Sequence, residues 1–339
     1  MPKKLSYQSS GVDISAADAT KKKMAASLET NNPLVLNQIG AFASLVDGKF
    51  PGYEHPVLVC KTEEPGSKQL IAFKYKRTKG ICLDLINHLI NDVIVMGATP
   101  LFIQDLIVCG KLDKTIVNQL VKDMALACKA QGAVLTGGET SEQPGVLQAG
   151  TYVLGASCIG VVEKSKIIDG SAIKAGDTVL ALASSGLHTN GYTLVRALMK
   201  EHPEILEEKV GDESFLDAIL TPHRCYYQWL KGLFGNPALH GMAHITGGGF
   251  FDKIPRILPA GTCAQIDLGS WRMPRVFKWL QEASGAPVSE MYRTFNMGIG
   301  YIVVTRAAAA VKTVDALKKL GVDSWIIGRI TKGRGVCVQ

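Results

Sequence analysis

The chain has 339 residues, of which 47% are hydrophobic and 20% charged, and its formal net charge is +7. This length and composition are typical of a globular protein with about two domains, and they exclude a disordered chain. The positive charges are mostly scattered and aromatic residues make up only 7% of the chain. We therefore expect no nucleic-acid partner, whereas a basic balance suits an anionic small-molecule substrate.

The eight cysteines include no C-x-x-C pair, and several lie in apolar, strand-like runs. This usage indicates reduced thiols and a cytoplasmic protein rather than a disulfide or zinc scaffold. The first 15 residues have lysines but no apolar core behind them, which argues against a secretory signal. No apolar run is long enough to span a membrane, so we expect no membrane partner.

Hydrophobic periodicity predicts alternating strands and helices in the first half of the chain. One helix is expected near 16–29. Apolar residues at intervals of three or four, such as Ile81, Leu85 and Leu89, predict a helix over 80–98. The other elements predicted here, in chain order, are strand 55–61 before that helix and, after it, strand 101–110, helix 117–132, strand 133–138 and strand 151–164.

The character of the sequence changes after Lys164, where a polar stretch with glycine turns precedes a new series of elements. We therefore expect an N-terminal domain over 1–168 and a C-terminal domain over 169–339. The predicted elements of the second half are strand 178–185, helices 191–200 and 222–234, strand 263–267, helix 274–284, strand 298–304, helix 307–320 and strand 324–330. This alternation predicts an α/β or mixed α+β fold.

The glycine-rich stretch LTGGETSEQPG spans residues 135–145 and follows a predicted strand. Paired glycines let backbone amides approach a phosphate, so Gly137 and Gly138 are candidate phosphate ligands, together with Thr140. The carboxylate of Glu139 comes directly after them and is a candidate metal ligand. The alternative is a glycine turn with a solvated glutamate.

A second stretch, SSGLHTNGYTLVRAL, covers residues 184–198 between a predicted strand and a predicted helix. It delivers small and polar residues to a helix N-terminus, where free N–H groups and the helix dipole attract anions. His188 and Asn190 are candidate catalytic residues, and Gly191 is a candidate phosphate ligand. An ordinary capped strand–helix turn remains an alternative.

A third stretch, HITGGGFFDKIPRIL, covers residues 244–258 and contains three consecutive glycines. Such glycines indicate unusual backbone bending or a close approach to a ligand, so Gly247 and Gly248 are candidate ligand contacts. His244 is a candidate catalytic residue, with a purely structural histidine as the alternative. His240 and His244 have i, i+4 spacing, but they run into a strand-like segment, which argues against a helical zinc pair.

Acidic residues within apolar stretches of the first half need partners, because buried carboxylates are costly unless paired or bound to metal. These residues are Asp84, Asp92 and Asp105. Magnesium prefers oxygen ligands and phosphate, so Asp92 and Glu139 are candidate Mg²⁺ ligands. Asp84 and Asp105 could instead pair with backbone groups or lysines.

Residues 62–68 read TEEPGSK, with a small residue, a glycine and a lysine in the order of a phosphate-binding loop. Gly66, Ser67 and Lys68 are therefore candidate nucleotide ligands. Two glutamates and a proline, however, stand where such a loop is usually neutral and flexible.

Taken in order, these stretches resemble the phosphoribosylformylglycinamidine cyclo-ligase (AIR synthetase) family of purine biosynthesis. The similarity runs from SYQSSGVDI at 6–14 to about residue 330. The segments that carry it are NDVIVMGATPLF, GKLD, GGETSEQPG, GVVEKSKIIDG, SSGLHTNGYTLVRAL, HITGGGFFDKIPRILP and EMYRTFNMGIG. The last four separate this family from related ATP-dependent enzymes that share the fold.

The resemblance implies a homodimer whose N-terminal domains contribute strands to a shared barrel, with a layered α/β C-terminal domain beside it. It also implies ATP and Mg²⁺ as cofactors. ATP would activate the formyl (amide) oxygen of formylglycinamidine ribonucleotide, and a substrate nitrogen would close the imidazole ring, giving aminoimidazole ribonucleotide, ADP and phosphate. His244, and second to it His188, are the candidates for moving a proton during closure.

At 62–68 the family typically reads TDGVGTK, and this chain departs from that pattern. Glu63 replaces an aspartate that belongs to the family's nucleotide–metal site. Glu64 replaces a glycine, adding a charge that would repel phosphate. Pro65 replaces a valine and removes an N–H donor.

Three functional hypotheses follow from this comparison. The first is an active cyclo-ligase with a remodelled nucleotide loop, favoured because the GGET, HTNGY and HITGGGF motifs are intact. The second is a non-catalytic or weakly active paralogue that binds ligand and dimerises. The third is another ATP-dependent enzyme of the same superfamily.

Overall fold

The computed structural model describes residues 28, 32–37 and 41–339. The segment 6–14, where the family resemblance begins, lies outside the described residues, as does the helix predicted near 16–29 apart from Leu28. Within the described part of the chain, no helix combines the length and apolar character that crossing a membrane requires.

The first half of the described chain alternates strands with helices. Its elements are β1 (Pro56–Glu63), α1 (Lys68–Lys74), α2 (Thr78–Ile94), β2 (Thr99–Cys109), α3 (Lys114–Ala130), β3 (Val134–Glu142) and β4 (Tyr152–Glu163). The strands form one sheet in the order β1-β4-β2-β3, with β2 and β3 parallel and the other pairs antiparallel.

Two long helices cover one face of this sheet. Helix α2, predicted from its apolar residues, is buried on most of its surface, because it packs against β1 and β4 on one side and against α3 on the other. Asp113 caps α3 by accepting hydrogen bonds from the amides of Thr115 and Ile116. None of the described helices covers the opposite face of the sheet in this way. Every second residue of β1 is exposed.

The second half builds a larger sheet with short helices around it. Its elements are β5 (Thr178–Ala183), α4 (Tyr192–Glu201), β6 (Lys209–Val210), β7 (Glu213–Ser214), α5 (Phe215–Leu220), α6 (Tyr227–Leu230), β8 (Leu239–His244), α7 (Gly249–Lys253), β9 (Thr262–Ile266), α8 (Arg275–Ser284), α9 (Val288–Thr294), β10 (Ile299–Thr305), α10 (Ala310–Lys319), β11 (Ser324–Lys332) and β12 (Gly335–Val338).

Six of these strands form a sheet in the order β12-β9-β11-β5-β10-β8, while β6 and β7 form a separate two-stranded ribbon. The central strands β5 and β10 are buried along their whole length apart from one residue, as the continuous apolar runs in their sequences require. The mixture of parallel and antiparallel pairs with alternating helices confirms the predicted mixed α/β fold class.

Two predicted elements differ from the structure. The helix predicted over 222–234 is α-helical only at α6, which is followed by a 3-10 turn over Lys231–Leu233. Its first turn is replaced by contacts with α2, because Asn87 and Asn91 donate to the carbonyls of His223 and Arg224 that a helix would use internally. The strand predicted over 133–138 does not end at its two glycines. It continues to Glu142 because β3 pairs with β2 as far as Cys109.

Candidate functional site

Four histidines that are far apart in the sequence meet between the two halves of the chain. His88 lies on α2, His188 follows β5, His223 precedes α6 and His244 ends β8, and all four are buried. The ring centroids of His188 and His223 are 3.9 Å apart, and the His244 ring lies 5.0 Å from His223 and 5.1 Å from His88. Sequence reasoning singled out His188 and His244 but missed the other two.

A continuous hydrogen-bonded chain links three of these rings. Asp92 Oδ1 lies 2.7 Å from His244 Nδ1, and His244 Nε2 lies 2.9 Å from His223 Nε2. The hydroxyl oxygen of Thr189 is 3.4 Å from His223 Nδ1 and 2.9 Å from His88 Nδ1. The chain therefore runs from a carboxylate at one end to the His88 ring at the other.

The positions of the protons in this chain follow from the carboxylate when the imidazoles are neutral. An ionised carboxylate only accepts, so His244 donates from Nδ1 and its Nε2 accepts from His223. His223 Nδ1 then accepts from the Thr189 hydroxyl, whose oxygen accepts from His88 Nδ1–H. Each ring is held in one tautomer, and His88 is left with a lone pair on Nε2.

Burial keeps most of these rings neutral. Burial, and then the neighbouring His244, lowers the pKa of His88 to about 4. Burial also holds the pKa of His188 and that of His223 well below their ordinary values. Burial alone would raise the pKa of Asp92, but the hydrogen bond from His244 outweighs it and holds that pKa well below its usual range. The cluster thus combines an ionised carboxylate with the imidazoles of His88, His188 and His223, which burial keeps neutral.

The cluster reaches solvent beside β1. Lys61 Nζ lies 3.1 Å from Glu63 Oε2 and 3.0 Å from Asp92 Oδ2, and all three side chains are partly exposed. His88 Nε2 faces the same two carboxylates, 3.6 Å from Glu63 Oε2 and 3.9 Å from Asp92 Oδ2. Solvent therefore reaches the charged groups at this end of the cluster.

Three of the loops predicted to bind ligand lie against one another near the cluster. A side-chain carbon added at Gly247 would meet Asn190 Oδ1 at 2.9 Å, and one added at Gly66 would meet the Thr189 carbonyl at 2.8 Å. Gly191 has a φ of +80° and opens α4, and any side chain there would collide with the Phe295 ring. The backbone can pack this closely only because glycine stands at these positions.

The two halves of the chain match the two domains of one known family. The family model described as "AIR synthase related protein, N-terminal domain" matches residues 54–162, and its C-terminal counterpart matches residues 174–339. The chain belongs to the AIR synthase-related family. The boundary expected between 168 and 169 falls in the interval between the two matches and stays a prediction.

Curated relatives of this AIR synthase-related chain bear the name that the sequence motifs suggested. The phosphoribosylformylglycinamidine cyclo-ligase of Chromobacterium violaceum is 43% identical over 333 residues, covering 98% of this chain and 96% of that protein. The one of Neisseria meningitidis is 40% identical over 338 residues, covering 99% and 98%. These relatives confirm the family resemblance.

Solved structures confirm the AIR synthase-like fold. Escherichia coli HypE superimposes with a TM-score of 0.68 at 18% identity, covering 95% of this chain and 93% of that one. Thiamine-monophosphate kinase from Stenotrophomonas maltophilia gives 0.67 at 14% identity, covering 97% of both chains. A HypE structure described as being in complex with ATP gives 0.65 at 16% identity, covering 97% and 92%.

The loop over residues 62–68, predicted to bind nucleotide, is closed on its own carboxylates in this AIR synthase-related chain. The Glu64 amide donates to Glu63 Oε1 at 3.0 Å, and the Gly66 amide donates to Glu64 Oε2 at 2.8 Å. Gln69 Nε2 adds a third contact, 3.3 Å from the same Glu64 oxygen, and Pro65 has no N–H to offer. In this arrangement a phosphate must displace the Glu64 carboxylate before it can reach the Gly66 amide, so the predicted roles of Gly66 and Ser67 stay predictions.

Lys68 is placed differently from the expected phosphate ligand. Its Nζ is buried and donates to Asp84 Oδ1 at 2.9 Å, to the His188 carbonyl at 3.1 Å and to the Thr221 carbonyl at 2.8 Å. An ammonium group has three hydrogens, and three protein acceptors use them. Burial lowers the pKa of Lys68, and the Asp84 charge opposes that shift. In the described geometry Lys68 joins the two halves of the chain rather than facing a ligand.

The predicted ligands of the GGET motif do not join this cluster within one chain. Gly137, Gly138, Glu139 and Thr140 lie on β3, at the opposite edge of the four-stranded sheet from β1. Three strand spacings separate these edges, which amounts to about 14 Å. Asp92 and Glu139 of one chain therefore do not share an ion in this arrangement, and both glycines are held inside a strand by pairing with β2.

Within the described residues, two groups of side chains place three ligand atoms close enough for one metal ion: His188, His223 and His244, or His88, Asp92 and His244. In the first group the His188 and His223 rings stack with their planes only 20° apart. The lone pairs of imidazole lie in the ring plane, so stacked rings direct them side by side rather than toward one point. The second group includes a carboxylate and lies at the solvent side of the cluster.

Proposed function

We propose that this chain catalyses the ATP-dependent ring closure of formylglycinamidine ribonucleotide to aminoimidazole ribonucleotide, with release of ADP and phosphate, in cytoplasmic de novo purine biosynthesis. Relatives of that name that align with nearly the whole chain support the reaction. The observation that carries the site is the Asp92–His244–His223 hydrogen-bonded chain, which holds an imidazole in one tautomer beside the glycine loops.

His244 is the residue that moves a proton during ring closure. Its Nδ1 is fixed by Asp92, so its Nε2 is the atom that exchanges protons with substrate or with His223. Ring closure turns a substrate nitrogen into a ring member and leaves a proton to be removed, which a neutral imidazole can accept. His188 is stacked on His223 and its Nε2 accepts from the Ser185 amide, so it supports the cluster from behind.

Backbone groups of two loops hold the sugar phosphate. Asn190 and Gly191 lie at the N-terminus of α4, a ten-residue helix whose first amides and dipole favour an anion. Gly247 lies against Asn190, and Gly248, with a φ of +91°, turns the chain into α7. Together these residues would orient the phosphorylated ribose while the reacting atoms approach the cluster.

Mg²⁺ fits the oxygen-rich edge of the cluster. Glu63 and Asp92 already converge on one cation, the Lys61 ammonium, and carboxylates are the ligands that Mg²⁺ prefers. These two residues would hold the ion, which when bound neutralises charge on the transferring phosphoryl group. Lys61 adds a positive charge at the same place, and the buried rings behind it help to exclude water.

The open face of the four-stranded sheet supports a homodimer. Leu58, Leu106 and Val153 are 53%, 42% and 38% exposed, and strand alternation and register place them on the same face. Pairing two such faces would bury this apolar surface and close the barrel that the family resemblance implies. Light scattering should give twice the chain mass of 36.4 kDa, and Leu58→Glu should shift it to the monomer. Leu320→Glu, at an exposed leucine on α10's end, should leave the mass unchanged.

The decisive test of the reaction is substrate-dependent ADP release. The purified chain with Mg·ATP should release ADP when formylglycinamidine ribonucleotide is added and only a trace when it is omitted. Release that is independent of this substrate would favour another ATP-dependent enzyme of the superfamily. Ligand-induced thermal stabilisation with no ADP above background would favour the non-catalytic paralogue and refute the proposal.

A further inference from the structure

Two thiols from distant parts of the sequence touch at one edge of the six-stranded sheet. Cys263 lies on β9 and Cys337 on β12, and their Sγ atoms are 3.1 Å apart although 74 positions separate them in the chain. Among the described residues, no other pair of cysteine sulfurs makes a comparable contact. A disulfide has a sulfur–sulfur bond of about 2.05 Å, so these two atoms need to approach by only about 1 Å to bond.

The pairing of the strands places both thiols on the same face of the sheet. Strand β12 runs parallel to β9, with Gly335 opposite Cys263 and Cys337 opposite Gln265. Side chains alternate between the two faces along a strand, so the two cysteines point to the same side, two positions apart. A shift of β12 by one residue would put them on opposite faces, and the contact therefore depends on this register.

The turn that leads into β12 allows the small movement that bonding requires. It contains Gly333 and Gly335, which have φ angles of +147° and +76°. A side-chain carbon added at Gly333 would meet Cys263 Cβ at 2.9 Å, so the turn packs directly on Cys263. Strand β12 is a four-residue edge strand with one neighbour, and such elements move more easily than the centre of a sheet.

The two thiols differ in their access to solvent, which sets the order of an oxidation. Cys337 is exposed and Cys263 is buried, so hydrogen peroxide reaches Cys337 first. The Cys337 thiolate attacks one peroxide oxygen, the O–O bond breaks, and the products are a sulfenic acid and one water. Cys263 Sγ then attacks the Cys337 sulfur, which forms the S–S bond and releases a second water. In total the two thiols lose two protons and two electrons to the peroxide.

We propose that Cys263 and Cys337 are a site of reversible oxidation by peroxide, at which a disulfide fastens β12 to β9. The bond would close a long segment that includes β10 and β11, and restricting the unfolded chain in this way stabilises the folded state. Strand β12 and strand β8, which carries His244, are the opposite edges of the sheet, five strand spacings or about 24 Å apart. Oxidation should therefore raise stability and leave the histidine cluster unchanged, whichever reaction the cluster catalyses.

The test treats the full chain with hydrogen peroxide and then reverses the reaction with dithiothreitol. After blocking of free thiols and proteolysis, mass spectrometry should find the peptides of Cys263 and Cys337 joined and lighter by two hydrogens than their sum. Differential scanning calorimetry should show Tm raised by about 3–6 °C in the oxidised chain and restored by the reductant.

Two serine variants separate this pair from the other cysteines. Cys337→Ser, at an exposed position, should abolish both the joined peptides and the rise in Tm, and circular dichroism confirms that it is folded. Cys60→Ser, at an exposed cysteine of β1, should change neither. The proposal is overturned if no joined peptides form, if the bond joins other cysteines, or if the rise in Tm persists in Cys337→Ser.

Discussion

Replacing Lys68 by methionine should be among the most damaging single changes in the chain. Lys68 on α1 is 1% exposed and its partner Asp84 on α2 is 0% exposed. The Lys68 ammonium also bonds two carbonyls of the second half, those of His188 and Thr221. Methionine fills a similar volume but removes the charge, so Asp84 is left buried without its cation.

The size of the effect follows from this burial. Removing one partner of a buried ion pair typically costs about 3–5 kcal/mol, because the remaining charge is uncompensated. An unfolding entropy of about 2.1 cal/mol/K per residue gives about 0.7 kcal/mol/K for the 339 residues, so this loss lowers Tm by about 4–7 °C. The double variant Lys68→Met/Asp84→Asn removes both charges and keeps an oxygen for the His223 amide, so it should recover most of the loss.

Differential scanning calorimetry at neutral pH measures this difference. Lys74→Met is the matched control, since Lys74 lies on the same helix and is exposed, and it should melt like the unmodified chain. If Lys68→Met melts within a degree of Lys74→Met, the pair contributes little and the account of α1 as a bridge between the two halves is wrong.

Three further predictions concern the cluster and its surroundings. His244→Gln should lower kcat at least about 100-fold with little change in the KM for ATP, measured by ADP release; an unchanged kcat would remove His244 from the chemistry. Glu64→Ala should free the Gly66 amide and lower the KM for ATP several-fold, and a raised KM would show that Glu64 assists binding. Burial raises the pKa of Asp105 to about 7, so the folded chain keeps a proton that the unfolded chain loses near pH 4. The protonated Asp105 carboxyl therefore makes its full contribution to the free energy of unfolding below about pH 4. That contribution is lost as pH rises to about 7, by up to about 4 kcal/mol at about 1.4 kcal/mol per pKa unit. Asp105→Asn should melt higher than the unmodified chain at pH 8 and similarly at pH 4, and a constant difference across this range would contradict the assignment.

Local sequence pattern was enough to predict most elements of the fold. Helix α2 was found from its apolar spacing, and the glycine loops at 184–191 and 244–249 were found because glycine marks close backbone contacts. Their meeting near His244 depends on the order of the strands in two sheets, which family resemblance supplied and periodicity alone did not.

The errors arise where distant parts of the chain override local preference. In the sequence, His88 is one polar residue in an apolar helix. Its place at the end of the hydrogen-bonded chain becomes visible only in the fold, which brings Thr189 and Glu63 beside it. Lys68 matches a phosphate loop in sequence, but its partners include a carbonyl 153 residues away. The start of the helix predicted at 222–234 does not form because two asparagines of α2 donate to its first carbonyls.

The most direct test of the account is identification of the product. Formylglycinamidine ribonucleotide, ATP and the purified chain should yield aminoimidazole ribonucleotide by mass spectrometry, with one ADP formed per ring closed. His244→Gln should bind nucleotide but form almost none of this product. Formation of ADP without the imidazole product, or equal product from His244→Gln, would contradict the claim that this cluster closes the ring.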